Sequence, residues 1–113
     1  MLRKQIDRVQ VQQRRVVWVN YVHEVMQGTP DGGTQKRQRM VVLSLPTDRG
    51  VRRAEIRRLT PELAEMYAGK TDKTLSRDVN RLHELGLIRR QGNLWWPRID
   101  LMDAFMPIAR NNS

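Results

Sequence analysis

Residues 72–97 constrain the fold more than any other part of the chain, because they join two patterns of different period. Apolar side chains recur at spacings of four, three and three residues, which places them on one side of an α-helix: Leu75, Val79, Leu82 and Leu85. Gly86 then stops the helix. Two β-prone runs flank Gln-Gly-Asn at 91–93, which is typical of a tight hairpin. The sequence therefore predicts an amphipathic helix, 72–85, that leads directly into a β-hairpin.

A shorter helix is predicted just before this unit, over residues 61–68. Thr60 suits the N-cap, Pro61 the first helical position, and an acidic residue follows in the first turn. Gly69 ends the helix, and three to four residues then lead into 72–85. Two helices joined by such a glycine-containing turn form a helix-turn-helix unit.

The second helix of this unit has a polar and basic face opposite its apolar stripe. Its side chains are of the types that contact phosphates and base edges in a major groove: Lys73, Thr74, Arg77, Asn80 and Arg81. The alternative for Arg77 is an ordinary surface pair with Asp78 or Glu84. Its position near the middle of the exposed face favours contact with a base or a phosphate.

At this point the chain resembles the winged helix-turn-helix superfamily over about residues 35–98, most closely at Thr-Leu-Ser-Arg-Asp-Val-Asn-Arg-Leu-His-Glu-Leu-Gly-Leu-Ile, 74–88. In that superfamily the first turns of the recognition helix enter the major groove of DNA, and the hairpin, or wing, contacts the backbone or minor groove. The resemblance and the polar face together indicate these DNA-binding residues: Lys70, Thr71, Lys73, Thr74, Ser76, Arg77, Asn80 and Arg81 on the helix and its turn, with Arg89, Arg90 and Asn93 on the wing.

The expected fold is mostly α-helical with a small β-hairpin wing, in a single domain of residues 1–113. An N-terminal helix and loop (1–33) precede the winged-helix core (34–98), and a C-terminal helix and tail (99–113) follow it. Within the core we expect a helix from Thr34 to Pro46. A third segment starts near Arg52 and is expected to be either one long helix or a helix that is split at Pro61. Its inward side chains are expected to be Ala54, Ile56 and Leu59.

The N-terminal segment 4–27 is compatible with a strand, because 16–22 is β-branched and aromatic, or with a helix. The absence of Gly and Pro favours the helix, which would be apolar on two sides: Val9 and Val16 on one, and Val11, Trp18, Val22 and Val25 on the other. A two-sided helix predicts a homodimer built by 4–27 together with 99–109, where Leu101, Phe105 and Ile108 form an apolar stripe. We expect Trp18 and Tyr21 to be buried in that interface; the alternative is an effector pocket.

The charge of the chain indicates a polyanionic partner. Its formal net charge is +9 and its pI is about 11.2. Residues 34–58 carry eight basic and two acidic residues, a local +6. Such a basic domain is typical of nucleic-acid binding, although a solvated basic face is the alternative.

Several classes of function are disfavoured. Cysteine is absent, and only His23 and His83 are available as imidazole ligands, so neither a metal site nor a cofactor is expected. No phosphate-binding loop or nucleophile motif is present, so the chain is not expected to be an enzyme. The N-terminus lacks a signal peptide pattern and no apolar run is long enough for a membrane span, which predicts a cytoplasmic protein without membrane contact.

The sequence therefore predicts a sequence-specific binder of double-stranded DNA, acting as a homodimeric transcription regulator, a repressor rather than an activator. Two alternatives remain open at this stage. One is a plasmid or phage accessory or partition protein that coats repeated DNA sites. The other is a winged-helix module that docks another protein. The residues name no small-molecule effector.

Overall fold

The computed structural model describes residues 2–28 and 32–105, and the side chains of 11–28 and 32–104. The described chain is mostly helical, with one small antiparallel sheet. Its elements in chain order are α1 (Leu2–Met26), α2 (Gly32–Ser44), β1 (Val51–Arg52), α3 (Arg53–Ile56), α4 (Pro61–Met66), α5 (Asp72–Glu84), β2 (Ile88–Gln91), β3 (Leu94–Pro97) and a C-terminal 3-10 helix (Ile99–Phe105). None of the described helices is long and apolar enough to cross a membrane.

The sheet has three strands in the order β1-β3-β2, and both pairings are antiparallel. The predicted hairpin is confirmed: Gln91 lies opposite Leu94, so the turn consists of Gly92 and Asn93. Gly92 has a φ of 66° at the first central position, as a type II′ turn requires. Strand β1, which pairs with the other edge of β3, was not predicted. Its two residues are too few to display an alternating pattern.

The segment between α2 and α5 departs from the sequence prediction. Ile56 is buried and Leu59 half-buried, but Ala54 is exposed, so its predicted inward position is wrong. The reason is that α3 spans a single turn and offers no sustained helical face. The split before Pro61 is confirmed, and Thr60 Oγ1 accepts a hydrogen bond from the Leu63 N–H at 3.1 Å as the N-cap of α4.

Helix α1 confirms the helical alternative for the N-terminal segment, and among its described side chains, those of residues 11–26, one stripe is fully buried. Trp18, Val22 and Met26, spaced by four residues, have no exposed surface, whereas Val11 is 66% exposed. The expectation that a dimer interface buries Trp18 is therefore wrong, because the core of its own chain already covers it. Tyr21 is half-buried against the same core and stacks on Trp18.

The 3-10 helix packs against α1 of the same chain. Met102 is fully buried, Leu101 is half-buried, and Asp103 forms an ion pair with Arg14 of α1 at 3.1 Å. The predicted apolar stripe also includes the side chains of Phe105 and Ile108, which lie outside the described residues. Part of the surface that was predicted to form a dimer interface therefore packs within a single chain.

Helix α5 lies against a core to which the other helices and the sheet contribute. Its predicted inward stripe is confirmed, since Leu75, Val79 and Leu82 are buried and Leu85 is half-buried. Burial of each such aliphatic side chain stabilises the fold by about 1.5–3 kcal/mol. This packing fixes which side of α5 faces outward.

Candidate nucleic-acid interface

The outward face of α5 presents the polar side chains that the periodicity predicts there. Lys73, Arg77, Asn80 and Arg81 are exposed, and Thr74 is half-buried. Ser76, also half-buried, lies at the margin of this face. The helix therefore offers amide and guanidinium donors on one side and aliphatic packing on the other.

Arg77 and Arg81 differ in their charge partners. Arg81 Nη1 lies 3.5 Å from Glu84 Oε1 across one turn, an exposed pair of small energetic value. Neither of the partners considered for Arg77 is paired with it: Glu84 contacts Arg81, and Asp78 points inward. Among the described residues, Arg77 makes no hydrogen bond or ion pair, so its guanidinium donors are available to a ligand.

Asp78 is the buried anchor of α5 and was overlooked as such in the sequence. It is 1% exposed. Its Oδ2 accepts hydrogen bonds from Arg37 Nε and from the Tyr67 hydroxyl, both at 2.6 Å. Its Oδ1 accepts from Gln38 Nε2 at 3.1 Å and from Arg37 Nη2 at 3.2 Å. One carboxylate thus ties α5 to α2 and to the end of α4.

The groups around Asp78 have shifted proton affinities. The hydrogen bond to Asp78 raises the pKa of Arg37, against the opposing effect of burial. Burial, followed by the hydrogen bond to Asp78, raises the pKa of Tyr67 well above its usual value. The Arg37 guanidinium also lies 5.6 Å from the centre of the Tyr67 ring. The cluster is thus held with Arg37 charged and Tyr67 protonated at neutral pH.

The turn before α5 carries the two remaining helix-side candidates, Lys70 and Thr71, and both are exposed. Gly69, with a φ of 77°, turns the chain, and the Lys70 N–H donates to the Tyr67 carbonyl at 3.0 Å. Thr71 is the N-cap of α5, but its side chain makes no capping hydrogen bond. Both side chains are therefore positioned at the start of the helix without being used by it.

The hairpin separates its two candidate arginines. Arg90 lies opposite Trp95, with its guanidinium 5.9 Å from that ring, and its Nε donates to the Gly92 carbonyl at 2.7 Å. Arg89 lies opposite Trp96 and 5.2 Å from that ring. Because successive residues of a strand point to opposite faces, Arg89 and Arg90 serve different surfaces.

A groove of about 440 Å³ runs between the β1–α3 junction, α5 and the hairpin. Three of the predicted residues line it: Asn80, Arg90 and Asn93. Arg89 does not. Arg52 and Arg53 line it as well, although the sequence indicated them only as members of the basic stretch 34–58. Without strand β1, nothing in the sequence placed them next to α5.

Within the described residues, no three or more His, Asp or Glu side chains are grouped so that they could hold a metal ion. No protein family matches this chain, and no curated protein or solved structure is significantly similar to it. The arrangement of exposed donors on α5 and along the groove is therefore the basis for assigning a function.

Proposed function

We propose that this chain is a winged-helix protein that binds double-stranded DNA sequence-specifically and represses transcription as a homodimer. The observation that carries the proposal is the outward face of α5, where Arg77 has no described partner and stands among exposed Lys73, Asn80 and Arg81. A face of this kind suits the major groove, in which guanidinium and amide groups form bidentate contacts with base edges.

The order of the elements supports the winged-helix interpretation. Helices α4 and α5 are joined by a short glycine-containing turn, and a hairpin follows α5 directly. Strand β1 precedes the helix pair and closes the sheet against β3. In this arrangement α5 is the recognition helix and the β2–β3 hairpin is the wing.

The chemistry of the surface favours DNA over a protein partner. The chain carries a net charge of +9, and the groove beside α5 is lined by three arginines and one carboxylate, that of Asp72. The large hydrophobic side chains that are exposed in the described part of the chain, Val11 and Val16, belong to α1. A helix face that docked another protein would carry such apolar anchors itself.

Those two valines support the proposed homodimer. Val16, 57% exposed, lies on the side of α1 opposite Trp18, and Val11, 66% exposed, lies on the same side as Trp18 but two turns before it. A homodimer that covered both valines would bring two α5 helices to one duplex. Sedimentation velocity at micromolar concentration, with and without duplex DNA, tests this. A monomer under both conditions would remove the dimer from the proposal.

The salt dependence of binding tests the DNA proposal. Labelled random-sequence duplexes are titrated with protein between about 50 and 200 mM salt, and selection from the same pool supplies a preferred site. Each neutralised phosphate contributes about −0.9 to the slope of log affinity against log salt, so we expect a steep negative slope. A flat response would overturn the proposal. A footprint that extends along DNA as protein is added would favour a coating protein over a repressor.

A further inference from the structure

We infer that Arg52 and Arg53 form, together with Arg90, a phosphate-binding groove that holds one strand of the DNA backbone beside α5. The inference rests on the proposed function and deepens it, because it assigns a backbone contact to a segment outside the helix pair and the hairpin. The shared chemistry of these side chains is recognition of a phosphate oxyanion by guanidinium groups.

The two arginines are held in place by the sheet while their side chains stay exposed. Arg52 lies in β1, in register with Leu94 of β3, and Arg53 is the first residue of α3. The Arg52 N–H donates to Glu55 Oε1 at 3.2 Å, which fixes the backbone at the junction. Neither arginine side chain makes a hydrogen bond or ion pair with another described residue. Their position is thus preorganised without their charge being neutralised.

The charge balance of the groove favours an anionic occupant. The carboxylate that lines it belongs to Asp72, which is 96% exposed and lies 3.6 Å from Arg57 Nη2. Three arginines consequently face the groove against one acid that already has a basic neighbour. Since a guanidinium group is weakly hydrated and planar, it binds a phosphodiester well at an exposed site.

The groove is continuous with the surface proposed to recognise bases. Asn80 belongs to the outward face of α5 and also lines the groove. A duplex whose major groove receives α5 therefore passes a backbone strand along the β1–α3 junction. Arg52 and Arg53 lie outside the recognition helix, and a phosphate contact made there fixes position without carrying sequence information.

The test compares two double variants that remove the same charge. Arg52→Ala with Arg53→Ala empties the groove of two donors, whereas Arg49→Ala with Arg58→Ala removes two exposed arginines from neighbouring positions that do not line it. We expect the first variant to lose about 1.8 from the magnitude of the salt slope, and the control to keep the parent slope. Between 50 and 200 mM salt, the parent's affinity then falls by about 12-fold more than that of the groove variant.

Two further measurements separate the causes. The affinities for the selected site and for its scrambled version should fall by the same factor in the groove variant, and circular dichroism should show the parent's fold. The variant Arg52→Lys with Arg53→Lys keeps both charges and should retain the parent slope. A change confined to the selected site would overturn the backbone contact in favour of base recognition.

The remaining outcomes distinguish this inference from the proposed function. If the parent does not bind duplex DNA, the proposed function fails and the groove inference fails with it. Suppose that the parent binds duplex DNA and that Arg77→Ala lowers the affinity for the selected site. If the groove variant then keeps the parent's salt slope, only the groove inference is overturned. Titration with deoxyadenosine monophosphate tests whether the groove binds a free nucleotide instead of the DNA backbone. If the groove variant loses nucleotide binding but keeps the parent's salt slope on DNA, the groove inference is overturned.

Discussion

The two faces of α5 differ in the burial and pairing of their charged side chains. On the inward face, Asp78 is 1% exposed and accepts hydrogen bonds from three side chains of α2 and the end of α4. On the outward face, Arg77, the residue next to it in the chain, is exposed and makes no contact with a described carboxylate. One charge is therefore committed to the fold, and the other is available to a partner.

This difference shows how a small basic domain can present an arginine on its outward face without pairing it. A buried carboxylate is stable only when its hydrogen bonds are satisfied, and the Asp78 cluster satisfies them from two other helices. The same bonds fix the rotation of α5 about its axis. Arg77 is thereby held outward by interactions in which it takes no part, so the two faces should respond to substitution through different measurements.

The largest effect is expected for Asp78→Ala. This change leaves the Arg37 guanidinium, which is 12% exposed, and the Tyr67 hydroxyl without their acceptor. Breaking such a buried pair costs about 3–5 kcal/mol of the free energy of unfolding. Urea denaturation followed by circular dichroism measures the loss. Asp72→Ala, at an exposed position of the same helix, is the control and should unfold near the parent's midpoint; equal midpoints for both variants would contradict the assigned role of Asp78.

Tyr67→Phe is expected to have a smaller effect that depends on pH. At pH 7 the lost hydrogen bond to Asp78 should cost about 1.5–3 kcal/mol. Burial raises the folded-state pKa of Tyr67 above its unfolded value of about 10, so the folded state keeps the proton more tightly. The stabilisation of the fold by the Tyr67 hydroxyl is therefore complete below about pH 10 and is lost as the pH rises further. The difference between the urea midpoints of parent and variant should be smaller at pH 11 than at pH 8. A difference that is the same at both pH values would refute this linkage.

The inward face also shows where the sequence was informative. The spacing of Leu75, Val79 and Leu82 predicted the buried stripe, because a helix of sufficient length repeats its pattern several times. Asp78 lies three residues after Leu75 on the same side of the helix, yet from the sequence it was considered only as a possible surface partner of Arg77. The partners that make its burial favourable come from distant residues, Arg37 and Tyr67, which periodicity within α5 cannot identify.

The candidate interface was predictable to a similar degree. The exposed side chains of α5 followed from helical periodicity, and the hairpin from its turn residues. The groove residues Arg52 and Arg53 did not, because a two-residue strand leaves no pattern and its partner residues in β3 lie 42 and 44 residues further along the chain. The dimer likewise depends on which side of α1 its own chain covers, and only the structure shows that Trp18 is covered.

Arg77→Ala sharpens the comparison from the outward face. The fold should be retained, because Arg77 is exposed and makes no hydrogen bond or ion pair with a described residue. Loss of a bidentate contact to guanine is expected to cost about 1–3 kcal/mol of binding free energy at the selected site and to relax the choice of one base pair. Competition titrations with the selected and scrambled duplexes measure this. If the variant binds the selected site as tightly as the parent, α5 is not the recognition helix.

The smallest effect is expected in the hairpin, whose two faces repeat the same contrast on a strand. Arg90 lines the groove beside Asn80, whereas Arg89 lies on the other face over Trp96. If Arg90 contacts one phosphate, Arg90→Ala lowers the magnitude of the salt slope by about 0.9, and its affinity changes about 3.5-fold less than the parent's between 50 and 200 mM salt. Arg89→Ala removes an equal charge and should leave the slope unchanged.

Thermal unfolding of both hairpin variants provides the control, because Arg90→Ala also removes the hydrogen bond from Arg90 Nε to the Gly92 carbonyl. A lower midpoint with the parent's salt slope would assign Arg90 to the turn and not to DNA. Equal losses of slope in Arg89→Ala and Arg90→Ala would mean that the duplex contacts both faces of the hairpin. That result would contradict a contact confined to the groove face, and it would support the prediction from the sequence that Arg89 and Arg90 both bind DNA.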